Sequence, residues 1–122
     1  MKNKTFVYSF EKLDVWILSR ELNNYVYDIT DGFPFKEEKN LKIQIRRSSV
    51  SISSNIAEGS GKLSKKDFKR YLQISFGSAM ELLSQFYLAF DRKYIDDKML
   101  NEIKMKINSI TRMLNSLSQS LN

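Results

Sequence analysis

The chain has 122 residues, 42% of them hydrophobic, with 20 Lys/Arg against 14 Asp/Glu for a net charge of +6, and it contains neither cysteine nor histidine. That length suits one domain able to bury its own core without staples, and the lack of cysteine excludes disulfides and zinc-thiolate sites and fits a cytoplasmic location. Without histidine the commonest general base and the commonest transition-metal ligand are both missing, so the expectation is a non-enzymatic protein with no catalytic residue, metal or cofactor.

The first residues, MKNKTFVYSFEKLD, hold basic side chains but no apolar run long enough for a signal peptide, because Glu11, Lys12 and Asp14 interrupt it. Residues 1–9 are therefore expected to be a tail ahead of a helical domain over 10–122. Val15, Leu18, Leu22, Tyr25 and Ile29 recur at alternating spacings of three and four, the apolar seam of a first helix at about 12–31. Asp31-Gly32-Phe33-Pro34 ends it, with Gly32 suited to a left-handed cap and Pro34 unable to continue the helix.

A second helix is expected at about 36–59, through QIRRSSVSISSNIAEGSG, Gln44 to Gly61. Val50-Ser51-Ile52-Ser53 alternates as a strand would, but Leu41, Ile45, Ser48/Ser49, Ile52 and Ile56 form a longer helical stripe that Gly59 closes. On that stripe the serines are small residues that admit a close neighbour. Ser64-Lys65-Lys66-Asp67 resembles a capping box and opens a third helix at about 64–91. Its apolar face is unusually wide: beside Phe68, Leu72, Phe76, Ala79, Leu83, Phe86 and Phe90 it carries Tyr71, Ile74, Leu82, Tyr87 and Leu88. Such a helix asks for cover beyond its own chain. The window Tyr71 to Phe90 has the length of a membrane span, yet its polar residues, Glu81 among them, argue for a buried helix and no membrane partner. Asp96 or Asp97 caps a fourth helix at about 96–119, with the seam Leu100, Ile103, Ile107, Ile110, Leu114, Leu117 and Leu121. Four helices with short connections predict an all-α, antiparallel up-and-down four-helix bundle that assembles into a homo-oligomer.

QIRRSSVSISSNIAEGSG, the later FGSAMELLSQ (Phe76 to Gln85), the early FEKLDVW (Phe10 to Trp16) and the Phe33-Pro34 turn together resemble the four helix bundle proteins encoded in 23S rRNA intervening sequences. The resemblance covers about residues 10–118 and departs from the family pattern at Ser53, where that pattern has proline, and at Ser48, where it has alanine. It implies a ring-like homopentamer of four-helix bundles, similar to the accessory variability proteins of diversity-generating retroelements. Those relatives bind nucleic acid and a reverse transcriptase through a basic surface, so a protein partner of that kind is the alternative to direct nucleic-acid binding.

Charge localises the functional expectation. Between Lys36 and Arg70 lie ten Lys/Arg and four Asp/Glu, an excess equal to that of the whole chain. Lys62, Lys65, Lys66, Lys69 and Arg70 form the densest cluster, and cations at a helix start oppose the helix dipole, so helix stability does not explain them. They are expected to bind RNA or DNA through phosphates. Arg46 and Arg47 are adjacent, about 100° apart on a helix, and two readings stand for them: phosphate binding, or pairing with Glu58, Glu81 or another acid. Asn55 and Glu58 are expected to bond to neighbouring helices, and Gly77 and Ser78 to sit at a close crossing with the serines of the second helix. Tyr71 and Tyr94 are candidates for stacking on bases.

Overall fold

The computed structural model describes residues 5–122, and the first four residues of the expected tail lie outside them. A 3-10 turn, Ser9–Lys12, leads into α1 (Asp14–Thr30), α2 (Leu41–Ser60), α3 (Lys65–Asp91) and α4 (Asp97–Ser120), with a second 3-10 turn at Phe35–Glu37. Among the described residues there is no strand. Each helix packs on its neighbours in chain order and α1 closes on α4, while the diagonal pairs stay apart. Residue pairing sets the directions: Ser49 meets Asn23, Ser75 meets Ile52 and Tyr25 meets Glu102. The result is an antiparallel up-and-down bundle.

The expected seams form the core with shifts on α1 and on α3, where Ser75, Ser78, Leu82, Gln85 and Ala89 are buried beside Leu72, Ala79 and Phe86 while Phe68, Phe76, Leu83 and Phe90 are only half-buried. On α4, Leu100, Ile103, Ile107, Ile110 and Leu114 are buried as spaced. On α1 the buried line is Val15, Ser19, Leu22, Val26 and Thr30, with Leu18, Tyr25 and Ile29 half-buried beside it. This helix touches both α2 and α4, so its covered face is centred between them and takes in two hydroxyls. Both are satisfied locally, Ser19 Oγ donating to the Trp16 carbonyl at 2.7 Å and Thr30 Oγ1 to that of Val26 at 2.8 Å.

The α2/α3 contact is the most extensive in the bundle, and small residues line it. Ser51 and Ser78 share a hydrogen bond of 2.8 Å, and Ser75 Oγ donates to the Ile52 carbonyl at 2.8 Å, while Ser49 on the other side of α2 donates to Asn23 Oδ1 of α1 at 2.8 Å. A Cβ on Gly59 would stand 2.6 Å from the Tyr71 Cβ, so glycine is required there by approach. Two expectations change at this point. The expected stop at Gly59 moves one residue on, to Ser60 with Gly61 as a right-handed C-cap, and no glycine among the described residues has a positive φ. Gly77 is exposed, with nothing within 4 Å of where its Cβ would stand, so the crossing partner of α2 is Ser75 and Ser78 without it.

The helix ends follow the same economy. Ser64 Oγ accepts from the Asp67 N–H at 3.0 Å, and Asp96, rather than Asp97, caps α4 through the Met99 N–H at 2.8 Å. Gly32 is not left-handed; the left-handed residue is Lys93, at φ 64°, where α3 ends. There the Tyr94 N–H reaches the Ala89 carbonyl and that of Lys93 reaches the Phe90 carbonyl, both at 2.9 Å, which is a Schellman closure. Ser53 sits in unbroken helix, its hydroxyl bonded to the Val50 carbonyl at 3.2 Å. No helix among the described residues is long and apolar enough to cross a membrane.

Candidate nucleic-acid interface

The basic residues separate into two environments, and a groove adjoins the second. Arg46 is engaged within the chain: Nε donates to Thr30 Oγ1 at 2.8 Å, and one terminal nitrogen reaches both Asp31 Oδ1 at 2.8 Å and the Tyr27 carbonyl at 3.2 Å. Its guanidinium carbon also lies 4.1 Å from the centre of the Tyr27 ring. The side chain thus ties α2 to the end of α1, adding a second donor to the Tyr27 carbonyl, which already accepts from the Asp31 N–H at 3.0 Å. Arg46 is thus paired as the second reading expects, with Asp31 as the acid, and a phosphate has to displace that network to reach it. Arg47, one residue on, is exposed.

The second environment is the end of the bundle where α2 passes into α3. Lys62, Lys65, Lys66 and Arg70 are exposed and Lys69 is half-buried. Lys62 lies 3.9 Å from Glu58 and 5.0 Å from the centre of the Tyr71 ring, and Arg70 flanks the same ring at 6.0 Å. Lys69 Nζ donates to Asn122 Oδ1. Among the described residues Lys65, Lys66 and Arg70 have no ion pair. Arg47 sits about 20 Å away along α2, at a rise of about 1.5 Å per residue, so the arginine pair and the lysine cluster are not one site.

The third feature was not legible in the sequence. Between the first turns of α3 and the last turns of α4 runs a groove of about 850 Å³. Lys65, Lys66, Lys69 and Arg70 stand along its α3 side, and Asn115, Ser118, Leu121 and Asn122 come from α4. Its base is apolar, with Leu72 and Leu114 fully buried and Phe76 and Leu121 half-buried. The α4 residues carry no charge and lie far from the cluster in sequence, so only the antiparallel return of α4 brings them to it.

Other expected roles resolve differently. Asn55 bonds within its own helix, to the Ser51 carbonyl at 2.8 Å, and Glu58 is exposed, so neither joins two helices. Tyr94 is spent on structure: its hydroxyl donates to Glu37 Oε2 at 2.7 Å and its ring packs on Phe33 at 5.4 Å. The Tyr94 hydroxyl and the Leu41 N–H hold the Glu37 carboxyl below the ordinary carboxylate range. Among the described residues no three acidic side chains gather as a metal site would require.

Comparison with known proteins agrees with this architecture. A crystal structure of a protein of unknown function from the S23 ribosomal protein family of Bacteroides thetaiotaomicron is similar, with a TM-score of 0.79 and 26% identity, covering 85% of this chain and 97% of that one. No curated protein matches the chain. The family described as 23S rRNA-intervening sequence protein matches over residues 11–116, which takes in all four helices. The chain belongs to the 23S rRNA-intervening sequence protein family.

Proposed function

We propose that this protein is a non-enzymatic, cytoplasmic homo-oligomer that binds RNA or DNA through the basic end of the bundle. The observation that carries the reading is the cluster Lys62, Lys65, Lys66, Lys69 and Arg70, held on one end of the α2/α3 helix pair with four of its cations free of ion pairs among the described residues. Cations that serve folding sit against carboxylates or carbonyls, as Arg46 does. These face solvent near the start of α3, where the helix dipole disfavours them. Neutralising phosphates releases counterions, so binding on this surface is salt-dependent and largely independent of sequence.

Oligomerisation is supported by what the bundle leaves uncovered. Ile74 and Leu88 of α3 remain 45% and 52% exposed, and Val50 of α2 41%. A second copy covering this side repeats the basic end around the assembly, five times for the pentamer that the resemblance implies. Fluorescence anisotropy with short RNA and DNA, duplex and single-stranded, across a salt series tests the reading. The expected result is affinity that falls steeply with salt, and a slope about two units shallower when Lys65 and Lys66 are both changed to alanine. No binding to any of these near 50 mM salt would remove the proposal. Light scattering is expected to show an oligomer at micromolar concentration, and a monomer there removes the oligomer from it.

A further inference from the structure

We propose that the groove between α3 and α4 takes single-stranded nucleic acid, with a base lying against Phe76 and Leu121 and the flanking phosphates on Lys65, Lys66, Lys69 and Arg70. This rests on the nucleic-acid reading above and adds the form of nucleic acid recognised. A duplex presents phosphates and keeps its base faces stacked inside, so a convex basic surface is all it needs. Here the cations line a concavity instead, and its floor is apolar. A groove of about 850 Å³ falls within the span of about 300–1,000 Å³ typical of small-molecule sites, far more room than a phosphate fills.

The chemistry of the walls fits a nucleotide in each of its parts. Four cations stand against one carboxylate, Asp67, which selects an anionic occupant. Phe76 is half-buried, so its ring is fixed by the core on one side and offers the remainder to the groove. A base has an apolar face for such a ring and polar edges for the amides of Asn115 and Gln73 and the hydroxyl of Ser118. The hydrogen bond from Lys69 to Asn122 joins the α3 side of the groove to the end of α4. Every base has such a face, so the expected recognition is of single-strandedness rather than of sequence.

The test compares labelled 12-residue single strands with duplexes of the same sequence, on the full chain at one ionic strength. Single strands are expected to bind about tenfold more tightly, in keeping with one stacked base. In a Phe76→Trp variant the added indole emission is expected to be quenched by the single strand and not by the duplex. Phe76→Leu is expected to abolish the preference while leaving helicity and duplex affinity unchanged, and Leu121→Ala, nearer the helix end, to reduce it. Equal affinity for both forms, or an unquenched indole, overturns the groove proposal and leaves the surface reading standing, whereas no binding to either form overturns both. A polyglutamate peptide that displaces the single strand as effectively, charge for charge, overturns the base contact in favour of an acidic peptide.

Discussion

At Arg46 a planar fork of donors meets a hydroxyl, a carboxylate and a backbone carbonyl that belong to the end of α1, with an aromatic face beneath it. An ammonium on a flexible stem cannot reproduce that set. Arg46→Ala is expected to lower stability by about 1–2 kcal/mol in urea denaturation, most of it from the hydrogen bonds and the ring contact, since the Asp31 side chain is 70% exposed and the ion pair alone is worth little. Arg46→Lys is expected to recover less than half of the loss, because it keeps the charge and lacks the fork. If the lysine variant were as stable as the parent, the charge and not the geometry would be what holds α2 to the end of α1. The sequence shows two equal arginines at this point. Helical geometry alone says that they point about 100° apart, and the neighbouring helix decides which one is enclosed.

At the scale of the element, two glycines show how position along a helix changes the sign of one substitution. Alanine at either position gains helix propensity of up to about 1 kcal/mol. At Gly59 the added methyl group meets the Tyr71 Cβ at 2.6 Å and the Phe68 ring at 3.1 Å, so α2 and α3 have to separate. Gly59→Ala is accordingly expected to destabilise by about 2 kcal/mol net, within the usual cost of overpacking. At Gly77 the space is open and the same change is expected to stabilise the bundle. Thermal unfolding of the two variants side by side checks this, and a Gly59→Ala protein as stable as the parent would mean that the crossing is looser than its geometry. The four helices, their order and the seams of α2 and α4 were legible because apolar spacing of three and four is a local record of burial. The serine stripe of α2 was legible as packing for the same reason. Which glycine lies under the neighbouring helix was not, because propensity and spacing are blind to the rotation of one helix against another.

Across the whole molecule, the first and last helices are tied by Tyr25, whose hydroxyl donates to Glu102 Oε2 while Lys106 lies 4.9 Å from the ring centre. Burial, and then the Glu102 hydrogen bond and charge, push the Tyr25 phenol up to about 12 from its ordinary value of 10.0. The folded state therefore favours the protonated phenol. Its contribution is fully present below pH 10, and it is lost as the pH rises from about 10 to about 12, where the unfolded chain ionises first. Lysines titrate in the same window, so the measurement is a difference: the gap in melting temperature between the parent and Tyr25→Phe is expected to shrink across that range. A constant gap would show that the phenol contributes packing only.

The sequence by itself determined the fold class, the four helices, the confinement of the charge excess to Lys36 through Arg70 and the family, because each of these is written in local spacing or in composition. Only the tertiary structure decided what the basic residues face. The return of α4 sets Leu121 and Asn122 beside Lys65 through Arg70 and turns a charged helix start into the wall of an apolar groove. The turn of α1 against α2 withdraws Arg46 and leaves Arg47 in solvent. The physical reason is the same in both cases: burial and spacing along one helix are local properties, whereas a site is made by side chains from separate helices, and their meeting is fixed by packing.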